Sequence, residues 1–146
     1  MQLSDGLRNH LVATGSLKAA VDGAVIRLYS GTAPATPHDA VPAGSTMLCE
    51  VSVGGAGTGV TFEQGPNAGL LLKAPGESWE GTVNAADTAT WFRLVYPADA
   101  DDSSTSAVRI QGTVQAAGGD MQITNPNLSA GATQIIDYFS IVMPAA

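Results

Sequence analysis

Residues 108–115 read Val-Arg-Ile-Gln-Gly-Thr-Val-Gln, and no other stretch restricts the fold as tightly. Val108, Ile110, Gly112 and Val114 alternate with Arg109, Gln111, Thr113 and Gln115. Successive side chains of a strand point to opposite faces, so this segment lays an apolar set on a core and a polar set away from it. The same period of two recurs along the chain. Ala24, Ile26 and Leu28 alternate with Val25, Arg27 and Tyr29; Met47, Cys49, Val51 and Val53 alternate with Thr46, Glu50 and Ser52. Trp79, Gly81, Val83 and Ala85 face away from Glu80, Thr82 and Asn84, and Phe92, Leu94 and Tyr96 away from Trp91, Arg93 and Val95. Shorter strands are predicted near 60–62, 70–73 and 120–124. The last, 133–143, is apolar on both faces: Ile135, Phe139, Ile141 and Met143 on one, Ile136, Tyr138 and Val142 on the other. That pattern predicts the centre of a layered structure or a subunit contact.

Between these runs lie turn signals. Residues 54–59 are glycine-rich, and Gly65-Pro66 and Gly118-Gly119 punctuate later strands. Pro34, Pro37 and Pro42 make 30–45 a loop, because proline has no N–H to give a central ladder. About eight or nine short strands at near-regular spacing predict an all-β chain, an antiparallel β-sandwich of jelly-roll-like type. A single domain spanning 1–146 accommodates them, and no repeat of solenoid length is visible.

The N-terminus has a different period. Leu3, Leu7, Leu11 and Thr14 recur at helical spacing, with Ser4 or Asp5 as a cap. Ser16 can cap a second turn over 17–22, which Gly23 ends as a left-handed residue. Residues 1–22 are thus expected as a short helical arm preceding a sandwich over 23–146.

Charge narrows the function classes. Thirteen acids against six cations give a net charge of −7, a poor match for a phosphate backbone, so no nucleic-acid partner is expected. No apolar run approaches the roughly 20 residues that span a bilayer, and the N-terminus shows no signal-peptide pattern. A soluble, intracellularly made domain with no membrane partner is the expectation. Charged residues are only 13% of the chain, while Ala, Gly, Thr and Ser supply 64 of 146 positions. A free monomer usually carries about twice that charge, so much of this surface is expected to lie against another chain.

No constellation for chemistry is written. The run Gly54 to Gly59 lacks the spacing of a nucleotide loop, and no helix pattern follows it. His10 and His38 are too few for a zinc site, and Cys49 sits on an apolar strand face. Glu77 and Glu80 are expected as solvated carboxylates and Trp79 as an inward ring. Asp99, Asp101 and Asp102 share one loop, but Ser104 and Ile110 stand where a calcium loop needs glycine and glutamate, so a solvated acidic loop is expected. Arg27, Arg93 and Arg109 are expected to bury their stems and pair their heads with carboxylates. No catalytic role and no cofactor follow.

Two stretches carry a resemblance. Leu7-Arg8-Asn9-His10-Leu11 and Gly15-Ser16-Leu17-Lys18, followed by Leu28-Tyr29-Ser30-Gly31-Thr32-Ala33-Pro34-Ala35, and the closing Ala132-Thr133-Gln134-Ile135-Ile136-Asp137-Tyr138-Phe139-Ser140 resemble small virion structural proteins of tailed bacteriophages. The resemblance implies a β-sandwich that cements or decorates the outer surface of the capsid. The expected partners are the major capsid protein and further copies of the chain, as a dimer or trimer, after synthesis in the host cytoplasm. Candidate interface residues are Leu3, Leu7 and Leu11 of the helical segment, Tyr29, Pro34 and Pro37 at the loop, and Arg93. Alternatives are a tail, collar or baseplate component, or a carbohydrate-binding module using Trp91, Tyr29 and Tyr138.

Overall fold

Two serines start the helices. Ser4 and Ser16 have extended backbones, and their hydroxyls accept from Leu7 N at 3.1 Å and Ala19 N at 3.1 Å, three residues on. Each satisfies one orphan donor of a helix start. The computed structural model, which describes residues 1–67 and 69–143, places β1 at Gln2–Leu3, α1 at Asp5–Ala13 and α2 at Leu17–Val21. Gly23 follows at φ +88°, a conformation that favours glycine, and directs the chain into β2 (Val25–Tyr29). Then come β3 (Met47–Val53), β4 (Phe62–Gln64), β5 (Leu70–Lys73), β6 (Trp79–Thr82), β7 (Asp87–Thr88) and β8 (Trp91–Val95). β9 (Ile110–Gln115), β10 (Met121–Gln122), β11 (Asn127–Leu128), β12 (Thr133–Ile135) and β13 (Ser140–Val142) complete the order.

The chain is mostly β, with antiparallel sheets and a short N-terminal helical segment. The large sheet has eight strands in the order β1-β9-β8-β2-β3-β6-β12, with β10 added to β9 in parallel. A second sheet, β13-β5-β4, is antiparallel, and β11 pairs with β7. The sheets share one core. Ile26, Leu28, Phe92, Leu94 and Ile110 of the large sheet are buried with Phe62, Leu71, Phe139 and Ile141. Phe92 meets Phe139 edge-on at 5.6 Å, and Phe62 meets Trp79 edge-on at 5.1 Å. Offset and edge geometries suit the ring quadrupole. Trp79 points inward as its alternation predicts, and Cys49 is a core residue.

Three expectations change. The helical arm expected over 1–22 begins with a strand and packs against the sheet. Leu3 lies on β1 opposite Ile110 instead of on a helix face, and Leu7, Ala20 and Val21 are fully buried. The Ser4 hydroxyl also donates to Ala107 O and accepts from Arg109 N, which ties the segment to the sheet. Secondly, 133–143 is not one strand. It pairs with β6 over Thr133–Ile135, leaves the sheet, and joins β5 over Ser140–Val142. Both pieces lie at sheet edges, so Ile136, Phe139 and Ile141 are buried while Ile135, Tyr138, Val142 and Met143 are exposed. Thirdly, the β2–β3 register shifts between Leu28 and Tyr29, which leaves Met47 exposed and Leu48 buried. An extra residue in one strand reverses the faces beyond it.

Candidate functional site: a roofed arginine ladder and an open apolar face

The register builds a polar row across five strands. Gln2 stands opposite Gln111, Gln111 opposite Arg93, Arg93 opposite Arg27, and Arg27 opposite Glu50. Period two puts this row on the face opposite the core. Its centre is nonetheless dry, while Gln2 and Glu50 at its ends reach solvent: Arg93 is fully buried, Gln111 and Arg27 are buried, and the neighbouring Arg109 is 1% exposed. The reason is a roof of two loops, 30–45 and 97–109. Loop 30–45 offers carbonyls: Pro34 O accepts from Gln111 Nε2 at 2.9 Å, Pro37 O from Arg109 Nη1 at 3.1 Å, and Asp39 O from Arg93 Nη2 at 3.1 Å. Loop 97–109 offers Pro97 O and Asp99 O to Arg27 at 2.9 and 2.8 Å. The loops are joined by Val41 N to Asp101 O and Ser104 N to His38 O.

Carboxylates balance the arginines. Two like charges opposite each other on neighbouring strands repel, and Asp101 sits over the Arg27–Arg93 pair. Its Oδ2 accepts from Arg27 Nη1 at 2.8 Å and from the Tyr29 hydroxyl at 2.6 Å, and its Oδ1 lies 3.6 Å from Arg93 Nη1. Asp101 adopts φ +60°, which aspartate tolerates better than most residues. Asp99 accepts two bonds from Arg109, and Glu50 accepts from Arg27 Nε at 2.9 Å. The acidic loop is therefore not a solvated one: Asp99 is 6% exposed at its side chain, and of the three carboxylates only Asp102, at 75%, lies open.

The titrations follow. Burial opposes the Asp99 carboxylate, but the Arg109 hydrogen bonds, the Asp101 N–H and the charges of Arg109 and Arg27 together hold its pKa below the usual value. Burial opposes the charged Arg27 too, yet Glu50 and Asp101 keep it above normal. Arg93 is lowered by burial and by the like charge of Arg109. Burial, then the bond to Asp101 and its negative charge, push the Tyr29 phenol well up. Elsewhere, Glu77 is also a structural acceptor, not a solvated group. It takes bonds from Thr61 N, Thr61 Oγ1 and Trp79 Nε1. Those bonds outweigh burial and lower its pKa.

The seven candidate interface residues fall into two groups. Leu7, Tyr29, Pro34, Pro37 and Arg93 are buried within the chain, so their contact surface is already spent. Leu3 and Leu11 are half-buried against the core. The stacking platform fares similarly. Tyr29 and Trp91 stack on each other at 4.2 Å and are 1% exposed, which leaves only Tyr138 of that set accessible.

What the molecule does present is the outer face of β13-β5-β4. Ser140, Leu72 and Glu63 form one cross-strand row, and Val142 pairs with Leu70 in the next. Ile141 and Leu71, one residue along, point into the core. Val142 is 63% exposed, and Leu70 and Leu72 are half-buried. Beside this sheet a groove of about 320 Å³ is lined by Leu17, Leu70, Leu71 and Met143 together with the polar Ser16, Lys18 and Gln64. Among the described residues, four of the eight exposed large apolar side chains lie between Ile135 and Met143, divided between the edges of the two sheets. No conspicuous signal marked them, because 133–143 read as buried on both sides.

The ladder also sets the outer charge. Arg27, Arg93 and Arg109 cancel Glu50, Asp99 and Asp101. The remaining ten acids and three cations carry the whole −7. Those cations are engaged as well: Arg8 with Asp5, Lys18 with Asp22, and Lys73 with the Glu77 carbonyl. Among the described residues no cluster of three or more His, Cys, Asp or Glu is placed to hold a metal ion, and no helix is long and apolar enough to cross a membrane. In comparisons with known proteins, no family model matches the chain, and neither a curated protein nor a solved structure matches it at a significant level.

Proposed function

We propose that this chain is a bacteriophage virion structural protein, a decoration or cement protein that binds the outside of the capsid and stabilises the head lattice. The observation that carries the reading is the exposed apolar face of β13-β5-β4 on a molecule whose polar machinery is turned inward. A protein that works by contact needs a stiff body and an open apolar patch. The roofed ladder supplies the first, and Val142, Leu70 and Leu72 contribute the second. A specific interface buries roughly 1,600 Å² in total, and a lattice repeats each contact many times, so modest contacts add to firm clamping. The acidic outer surface suits the exterior of the head, since packaged DNA would repel it. The contacts expected of this protein are to the major capsid protein and to further copies.

The test is quantitative mass spectrometry on virions separated into heads and tails, together with sedimentation of the purified chain with heads that lack it. Enrichment on heads and saturable rebinding are expected. Enrichment on tails would instead assign it to the tail, collar or baseplate, and absence from both would overturn the reading.

A further inference from the structure

We infer that the roof over the ladder, residues 30–45 and 97–107, is a single lid that opens as a unit while the sandwich beneath stays folded, and that opening uncovers a cationic, aromatic sheet face. The lid is held by polar contacts and not by the core. No residue of either loop belongs to the apolar core or to the partly buried hydrophobics packed against it. The buried Pro34 and Pro37 lie over the ladder instead, where their carbonyls accept from Gln111 and Arg109. Segments poor in buried apolar contacts open at less free energy than global unfolding requires. Closing is also opposed: Arg93 is fully buried, and burial with the like charge of Arg109 works against its charged form. A buried charge regains water when its cover lifts, so desolvation offsets much of what the ion pairs contribute.

The two loops open together because each holds the other. Val41 N–H donates to Asp101 O at 2.9 Å, and Ser104 N–H to His38 O at 2.8 Å. They also share arginines. Arg93 donates to Asp39 O of the first loop and faces Asp101 of the second, and Arg109 donates to Pro37 O of the first and to Asp99 of the second. Lifting one loop alone would leave Arg93 and Arg109 half-paired under the other, whereas lifting both returns them to water. The β2–β3 and β2–β8 pairings do not involve the loops, so the sheet survives the opening. What the open form presents is Arg27, Arg93 and Arg109 beside the stacked Tyr29 and Trp91, a cationic face on a chain of net charge −7.

The experiment is native-state hydrogen exchange on the full chain in low urea. The amides of Val41 and Ser104 report the lid, and those of Ile26 and Leu94, on central strands, report the sandwich. Val41 and Ser104 are expected to share one protection factor, at least about tenfold below that of Ile26 and Leu94. Their urea dependence should be shallower, because opening the lid exposes less surface than unfolding. Ile141→Val, in the core and outside the lid, should lower protection of Ile26 and Leu94 about fivefold and leave Val41 and Ser104 unchanged, since its contacts persist in the open form. Asp101→Asn weakens only the closed form, so it should lower all four by one common factor. Equal protection and urea dependence at all four amides would show that the roof opens only with the whole chain. Different opening free energies at Val41 and Ser104 would show two independent loops, and no protection at either would show no closed lid. Each of these three results overturns the inference.

Discussion

Arg109 holds Asp99 by two parallel hydrogen bonds, Nε to Oδ2 and Nη2 to Oδ1, each 2.8 Å, with both side chains almost fully buried. This fork fixes the start of the acidic loop to the sheet, and the Arg109 N–H reaches the Ser4 hydroxyl that caps α1. One residue thereby couples roof, sheet and N-terminal helix.

Removing one partner of that pair leaves the other charged and dry. Asp99→Ala is expected to cost about 3–5 kcal/mol, read as a lowered urea midpoint with little change in slope. The double variant Arg109→Met with Asp99→Leu should be less destabilised than Asp99→Ala, because no orphan charge remains. Equal losses would show that the pair contributes packing and not charge.

Acid should loosen the same loop. Asp99 has a folded pKa below its unfolded value of about 3.9, so the folded state binds protons less readily than the unfolded one. Its contribution is complete above the unfolded value and is lost as pH falls through the folded value. Glu77 and Asp120, lowered by Thr61 with Trp79 and by the N-terminal ammonium with Thr113, act in the same direction. Urea unfolding measured from pH 6 to pH 2 (about two units either side of that value) should show falling stability, with a shallower fall in Asp99→Asn.

Gly6 offers a test in which two principles oppose each other. Alanine in a helix is ordinarily better than glycine by about 1 kcal/mol. A Cβ at Gly6 would lie 2.2 Å from Ser106 O and 2.4 Å from Ala107 O, both backbone atoms of the acidic loop. Gly6→Ala is therefore expected to destabilise the chain, by about 1–3 kcal/mol. A raised melting temperature would mean that the loop yields without cost.

Cys49 should be inert until the core opens. Its thiol is fully buried and its pKa is pushed up to about 11, by burial first and then by the Glu50 charge. Thiolate is the reactive form. At neutral pH a thiol-labelling reagent should modify it only at the rate of unfolding, and fast labelling of the native chain would contradict the buried placement.

Local features were legible from residue spacing alone. The caps Ser4 and Ser16, the left-handed Gly23, the prolines of 30–45 and the alternations of β8 and β9 each depend on neighbours a few positions away. Such signals survive in a linear reading because sterics and capping act within one turn or one pleat. The pairing of the three arginines with carboxylates was also readable as a need of their chemistry. Which carboxylates they meet was not, since Arg27 and Asp101 are separated by 74 positions. Their meeting depends on β2 lying beside β8 and on where the following loop folds back.

The sequence by itself determined that this chain makes short antiparallel strands around an apolar core, because side-chain alternation and turn residues act locally. Only the tertiary structure decided which polar face stays dry and which apolar face stays open. The alternation of β9 says that Arg109 and Gln111 point away from the core, but it is silent on whether water or a loop lies there. The run 133–143 carries enough apolar residues to be buried on both sides. Its division between two sheet edges left Tyr138 and Val142 uncovered. Burial is a property of what packs on top, and that is settled by strand order and loop path across the whole chain.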